Sequence, residues 1–257
     1  IMYIDTHAHL TDIAFAGKVD EVIKKSQECM VEKIITSGYN LPSSEEALKL
    51  SQNYSEIVYC SIGVYPENIE EYSNEVEDKI IELSHNKEVV AIGEIGLQYT
   101  DGMPSRDKQK SIFIKQLELA HHLKLPVVLH CRDAYGDMIT LLKQNKHLLT
   151  YGGTFHCFSG SKELAKEIIK LGLNVSVGGV STFKNAVNVK EAIKDVPLEY
   201  ILLETDSPYL APHPFRGKLN SPSYIPTIAE NLASLKSVPV EEVEKVTTQN
   251  ARRLFNI

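Results

Sequence analysis

Two histidines one residue apart, His7 and His9, close the first apolar, β-branched run of the chain. Other candidate metal ligands follow later runs of the same kind: Glu94 after residues 89–92, His130 after 126–129, His156 after 154–155, and Glu204 and Asp206 after 200–203. Imidazole nitrogens mixed with carboxylate oxygens suit zinc, manganese, cobalt or iron, and magnesium stays open as the working ion. Alternate residues of a strand share a face, so His7 and His9 project the same way about 6.6 Å apart along the backbone, a spacing suited to two ligands on one ion. On the eighth run the same parity groups Leu202, Glu204 and Asp206, so either carboxylate could point inward. A single histidine such as His130 or His156 is more often a satisfied core or surface residue. Four histidines and two carboxylates, all at the ends of apolar runs, are difficult to explain as packing, because buried polar groups without partners are costly. His85, His121, His122 and His147 fall on helical stretches and read as solvated, and His213 sits undecided in a proline-rich loop.

The elements that must position these groups form a regular series. Runs at 2–4, 33–36, 57–62, 89–92, 126–129, 154–155, 174–177 and 200–203 alternate with helical stretches. Eight such units predict an α/β fold of the TIM-type (β/α)8 barrel, with residues 1–257 as one domain, a common solution at about 250 residues. An open doubly wound sheet would carry a glycine-rich turn after its first strand, where this chain has Asp5-Thr6-His7-Ala8-His9. In a barrel the loops after the strands build the active face, so polar residues at those ends converge. Ser43 with Glu46 reads as a capping box, Ile112, Leu117, Leu119 and Leu123 as one helix face, and Gly172 as the stop of the helical run 164–171. Residues 207–226 hold five of the eleven prolines and predict a stiff loop overhanging the barrel mouth.

Composition bounds what such a site can meet. The 27 basic against 34 acidic residues leave a formal net charge of −7, which excludes a globally electropositive surface for nucleic acid, so an anionic substrate must be held locally. No apolar run approaches the roughly 20 residues of a membrane span. The first residues carry no secretory signal pattern, and a cytoplasmic location is expected. Cys29, Cys60, Cys131 and Cys157 are scattered without paired spacing, which argues against a disulfide framework or a cysteine zinc site and predicts small buried apolar residues.

Several segments, in order, resemble the TatD family of metal-dependent deoxyribonucleases within the amidohydrolase-like barrel superfamily. They are Asp5-Thr6-His7-Ala8-His9-Leu10, Gly93-Glu94-Ile95-Gly96-Leu97, His130-Cys131-Arg132-Asp133-Ala134, His156-Cys157-Phe158, Glu204-Thr205-Asp206-Ser207-Pro208, Arg216-Gly217-Lys218 and Asn250-Ala251-Arg252-Arg253-Leu254-Phe255. The resemblance implies two divalent ions, one held by His7, His9, Glu94 and Asp206 and the other by Glu94, His130 and His156, with Glu94 bridging. It also implies a 3′-5′ exonuclease or phosphodiesterase acting on DNA, with single-stranded DNA ends as the nucleic-acid partner, no membrane, and a monomer or weak oligomer. Two ions about 3.5–4 Å apart can clamp both oxygens of a phosphodiester cut and lower a bound water's pKa to near 7. Their +4 against −2 from Glu94 and Asp206 leaves about +2 to meet a phosphate despite the acidic whole.

In that scheme Asp206 is ligand and general base, Glu94 the shared carboxylate, and Glu204 an orienting group. Arg132, Arg216 and Lys218 are candidate phosphate anchors and Tyr65 a candidate substrate contact. Tyr65, Tyr99, Phe158, Phe183, Tyr209 and Phe215 are candidates to stack bases, with loop packing as the alternative. The chain departs from the family pattern at Tyr65, where a histidine is usual before Pro66, and at Gln98, where an aspartate is usual. Neither is expected to be a ligand, but both should lie near the mouth. Two other functions fit the same residues: hydrolysis of amide, lactone or phosphotriester bonds, and a metal-binding interaction protein without turnover.

Overall fold

The computed structural model describes residues 2–257 and joins eight strands into one sheet in chain order: β1 (Tyr3–Ala8), β2 (Val31–Ser37), β3 (Val58–Ile62), β4 (Val89–Gln98), β5 (Val127–Arg132), β6 (Gly153–Phe155), β7 (Asn174–Val177) and β8 (Ile201–Leu203). Each pairs in parallel with the next. The helices are α1 (Val19–Glu28), α2 (Leu41–Asn53), α3 (Asn74–Ser84), α4 (Arg106–Leu123), α5 (Tyr135–Gln144), α6 (Lys162–Lys170), α7 (Val187–Asp195), α8 (Ile225–Lys236) and α9 (Val240–Phe255). This is the expected (β/α)8 order, with a second helix added after β8.

Neighbouring strand residues divide between two apolar clusters, as a period of two requires. Tyr3, Ile34, Val89, Val127, Ile201 and Leu203 pack with helix residues in the large cluster. Their neighbours Ile4, Ile35, Val90, Val128 and Leu202 form a smaller one, joined by Ala251 and Phe255 from α9. One face of the sheet therefore carries the helices, and the other is closed at its base by the last helix.

Several boundaries differ from the sequence reading. β1, β4 and β5 continue past their apolar runs, so His7, Glu94, His130 and Arg132 lie inside strands. The physical reason is that a parallel neighbour on one side goes on pairing there, β2 beside β1 and β4 and β5 beside each other. Close packing also demands Gly96, since a Cβ at that position would stand 1.8 Å from the His130 carbonyl oxygen. The capping box lies three residues earlier than expected. Asn40 caps α2 by accepting the Ser43 N–H at 2.9 Å, and the Ser43 hydroxyl accepts the Asn40 N–H at 3.0 Å. Pro42 belongs to the first turn, where a missing N–H costs nothing. For the same reason Pro226 sits in the first turn of α8, not in the mouth loop. Gly172, with φ 76°, ends α6 as predicted. Of the cysteines only Cys60 is fully buried.

No ladder joins β8 back to β1. The barrel closes there through single bonds: Thr6 hydroxyl to Leu203 oxygen at 2.9 Å, Asp206 N–H to His7 oxygen at 2.8 Å, and His9 N–H to Ser207 oxygen at 2.8 Å. Beneath them the buried Asp5 carboxylate accepts the Thr205 hydroxyl at 2.5 Å, the Thr205 N–H at 3.0 Å and the His7 N–H at 3.2 Å. Burial pushes Asp5 up to about 8, against the lowering effect of those donors. Asn220 ties the proline-rich loop to this end by donating to the Thr205 and Tyr209 carbonyls at 2.7 and 2.6 Å. No helix of the described residues is long and apolar enough to cross a membrane.

Candidate metal centre

The sheet brings His7, His9, Glu94, His130, His156 and Asp206 together at the C-terminal ends of its strands. Glu94 stands in the middle. Its Oε2 lies 3.4 Å from His7 Nε2 and 3.7 Å from His9 Nε2, and its Oε1 lies 2.9 Å from His156 Nε2 and 3.0 Å from His130 Nδ1. Asp206 Oδ1 completes the first group, 3.2 Å from His9 Nε2 and 3.5 Å from His7 Nε2. The imidazole nitrogens also crowd one another, at 3.3 Å between His7 and His9 and 3.0 Å between His130 and His156. Asp206 reaches the group through a left-handed turn at φ 55°, beyond the end of β8, so strand parity does not govern it.

These separations fit a cation. Around an ion with ligand bonds of about 2.1 Å, adjacent donor atoms stand about 3.0–3.4 Å apart in octahedral or tetrahedral geometry. Three overlapping triads have all their donor atoms within 4.8 Å of one another: His7, His156 and Asp206; His7, His9 and Glu94; and Glu94, His130 and His156. His9 Nδ1 faces the Ser37 carbonyl at 3.2 Å, and a carbonyl can only accept, so the proton sits on Nδ1 and the Nε2 lone pair turns to the group. His7 Nδ1 meets the Ser37 hydroxyl at 3.1 Å, which Ser61 supports at 2.9 Å. Glu204 is wholly buried and accepts the Cys157 N–H at 2.7 Å. Its Oε2 and His156 Nδ1 are buried without hydrogen-bond partners, behind the ring whose Nε2 faces Glu94.

The electrostatics point the same way. Burial would raise the Glu94 carboxyl, but His156, His130 and His7 hold it well below the usual range. Burial also opposes a proton on His156, yet Glu94 and Glu204 outweigh it and hold the pKa well above the ordinary imidazole value. For His130 burial prevails over Glu94 and lowers the pKa. Glu94 and Glu204 thus favour a proton on His156, and an incoming cation competes with that proton for the ring. Metal uptake is expected to release at least one proton, with affinity falling as pH is lowered. Calorimetric titration in two buffers of different ionisation enthalpy measures this, and heats independent of the buffer would contradict it.

A cavity of about 1020 Å³ opens over the centre and runs toward the β1 and β2 loops. Of the sequence-predicted contacts, Tyr65, Arg132 and Tyr209 line it. Arg216 and Lys218 do not. Arg216 lies 4.1 Å over the Phe183 ring and Lys218 5.8 Å from that of Phe215. Tyr99 donates to Asp137 at 2.6 Å, Phe158 is buried, and Phe215 stacks on Tyr224 at 4.6 Å. His85, His122, His147 and His213 are exposed, and none joins the centre.

A family model described as TatD related DNase matches residues 4–256. The chain belongs to that family. This TatD-family chain is 42% identical over 256 residues to a Bacillus subtilis (strain 168) protein named as the uncharacterized metal-dependent hydrolase YabD, covering 100% of each. It is 34% identical to a 3′-5′ ssDNA/RNA exonuclease TatD of Klebsiella pneumoniae (strain 342), covering 98% of this chain and 97% of that one. The crystal structure of a TatD homologue from Escherichia coli K12 superposes with a TM-score of 0.93 at 31% identity, over 99% of this chain and 98% of that one. As a member of the TatD family the chain is a metal-dependent hydrolase. Sequence reasoning passed over Ser37, Ser61 and Asp5 in this TatD centre. The polar pair Thr36-Ser37 closing β2 was the available signal for Ser37.

Proposed function

We propose that the chain is a two-ion phosphodiesterase removing nucleotides from the 3′ ends of single-stranded nucleic acid. One observation carries this reading: the two oxygens of Glu94 face two different pairs of imidazoles, His7 with His9 and His130 with His156. A carboxylate so placed is shared between two ions, and Asp206 joins the first pair. Two divalent ions there supply Lewis acidity toward the phosphate and a water acidified for attack.

The residues do the rest. The Asp206 side chain is 15% exposed against 5% for Glu94, and it borders the cavity. It is the carboxylate that can take the proton of an attacking water. Its carboxyl is held below the ordinary aspartate value, since His9 and His7 outweigh the effect of burial, so the side chain is ionised and free to accept. Glu204 sits 3.7 Å from His156 Nδ1 and orients that ring from behind. Arg132 is the one Lys or Arg among the described residues lining the cavity, where Asp12, Glu46 and Glu67 also stand. Positive charge is therefore concentrated at the scissile phosphate, which suits a chain end and disfavours a long duplex. The exposed Tyr39 and Tyr209 offer ring faces to a terminal base.

The test is a panel of 3′-labelled single-stranded, duplex and model ester substrates with manganese, magnesium, zinc or cobalt, alongside elemental analysis. Two ions per chain and stepwise shortening of single strands are expected. Because few phosphates are contacted, the log–log salt slope should be only about −1 to −2. Turnover of lactone or amide substrates alone would replace this reading with the other hydrolytic one, and bound metal without turnover would support a non-catalytic role.

A further inference from the structure

Gln98 and Tyr65, the two departures from the family pattern, meet on the far side of His130. The Gln98 side-chain oxygen lies 2.8 Å from His130 Nε2, and the Tyr65 hydroxyl donates to that same oxygen. The Tyr65 hydroxyl is itself 3.1 Å from His130 Nε2, and its ring meets the imidazole edge-on at 4.7 Å. The Gln98 amide nitrogen is engaged elsewhere, donating to the Thr100 hydroxyl at 2.9 Å. That contact leaves the oxygen facing His130, and an amide oxygen only accepts.

The backbones bearing these groups are clamped by α4. Gln109 accepts the Gln98 N–H and donates to the Gln98 carbonyl, both at 2.8 Å. Seven residues on, Gln116 makes the same pair of 2.8 Å bonds with Val64, next to Tyr65. Both glutamines are 1% exposed, so the two partners of His130 hang from one helix face in a fixed relation.

We propose that Gln98 and Tyr65 form a single positioning unit that holds His130 as its Nε2–H tautomer, so that Nδ1 points at Glu94 as a ready ion ligand. The two departures are then one coupled change. Neither residue touches the ion. They act through His130, as partners of metal-bound histidines generally do. This rests on the two-ion reading above, and the experiment separates the two.

Long-range proton–nitrogen NMR of the zinc-loaded protein should show His130 protonated at Nε2. A predominant Nδ1–H form would overturn the proposal whatever number of ions the centre takes. In cobalt(II) titrations followed by the visible bands, Gln98→Leu should weaken the ion at the His130 side by about 10- to 100-fold. Gln98→Glu, which keeps an accepting oxygen at the same reach, should restore most of that affinity. Tyr65→Phe should cost less, and added to Gln98→Leu it should cost nothing more. Unchanged cobalt affinity in Gln98→Leu, or losses that simply multiply in the double variant, would overturn the coupling. Thermal unfolding separates these outcomes from misfolding, because the Gln109 clamp on the backbone is untouched. A parent chain that binds only one cobalt ion would instead count against the two-ion reading, leaving the tautomer measurement to stand or fall alone.

Discussion

Asp206→Asn is expected to lower kcat by about 10²- to 10⁴-fold, the range attributable to one general base, while KM and metal content move little. The amide keeps an oxygen toward His9 and His7, 3.2 and 3.5 Å away in the parent, but cannot take a proton at neutral pH. Asp206→Ala removes the ligand as well, so it should lose metal in addition to rate. Comparing the two by single-turnover kinetics and elemental analysis divides the roles of ligand and base. Full activity in either variant would remove Asp206 from the chemistry.

The second large effect is expected at Glu94. Glu94→Gln leaves one oxygen to serve one ion and turns an NH2 toward imidazole nitrogens whose lone pairs must face the other. The buried His156 ring also loses the carboxylate oxygen nearest its Nε2, 2.9 Å away. Metal content should fall from two ions to one or fewer, and with it several kcal/mol of transition-state stabilisation, about a thousandfold or more in kcat. Retention of two tightly bound ions would show that Glu94 is not shared between them. The chain should still fold, since the seven strand-to-strand ladders do not depend on that side chain.

Much of this centre was legible in the sequence because its candidate ligands follow, or lie within, strands whose apolar runs mark them, and a parallel barrel gathers such ends on one side. His7, His9, Glu94, His130, His156 and Asp206 needed only that topology to meet. What escaped depends on bonds between residues far apart in the chain. Ser37 behind His7, Gln98 behind His130 and Gln109 behind Gln98 are ordinary polar residues until the fold aims them. Arg216 and Lys218 had the right charge, but each rests against an aromatic ring outside the cavity. The runs at β1, β2, β4 and β5 fall short of the strands because the apolar pattern stops before the hydrogen-bonded ladder does. The α2 cap was misplaced because Ser43 and Glu46 fit the motif while Asn40, before a proline turn, makes the bonds.

The way the sheet is shut has a consequence for how the protein comes into being. His7 and Asp206, 199 positions apart, are joined backbone to backbone where the first and eighth strands touch. On the ribosome, His7 and His9 wait for Asp206 until about four-fifths of the polypeptide has been made. A product terminated before β8 holds Glu94, His130 and His156 but lacks the carboxylate that completes the His7–His9 group, so that half of the centre is expected to form last.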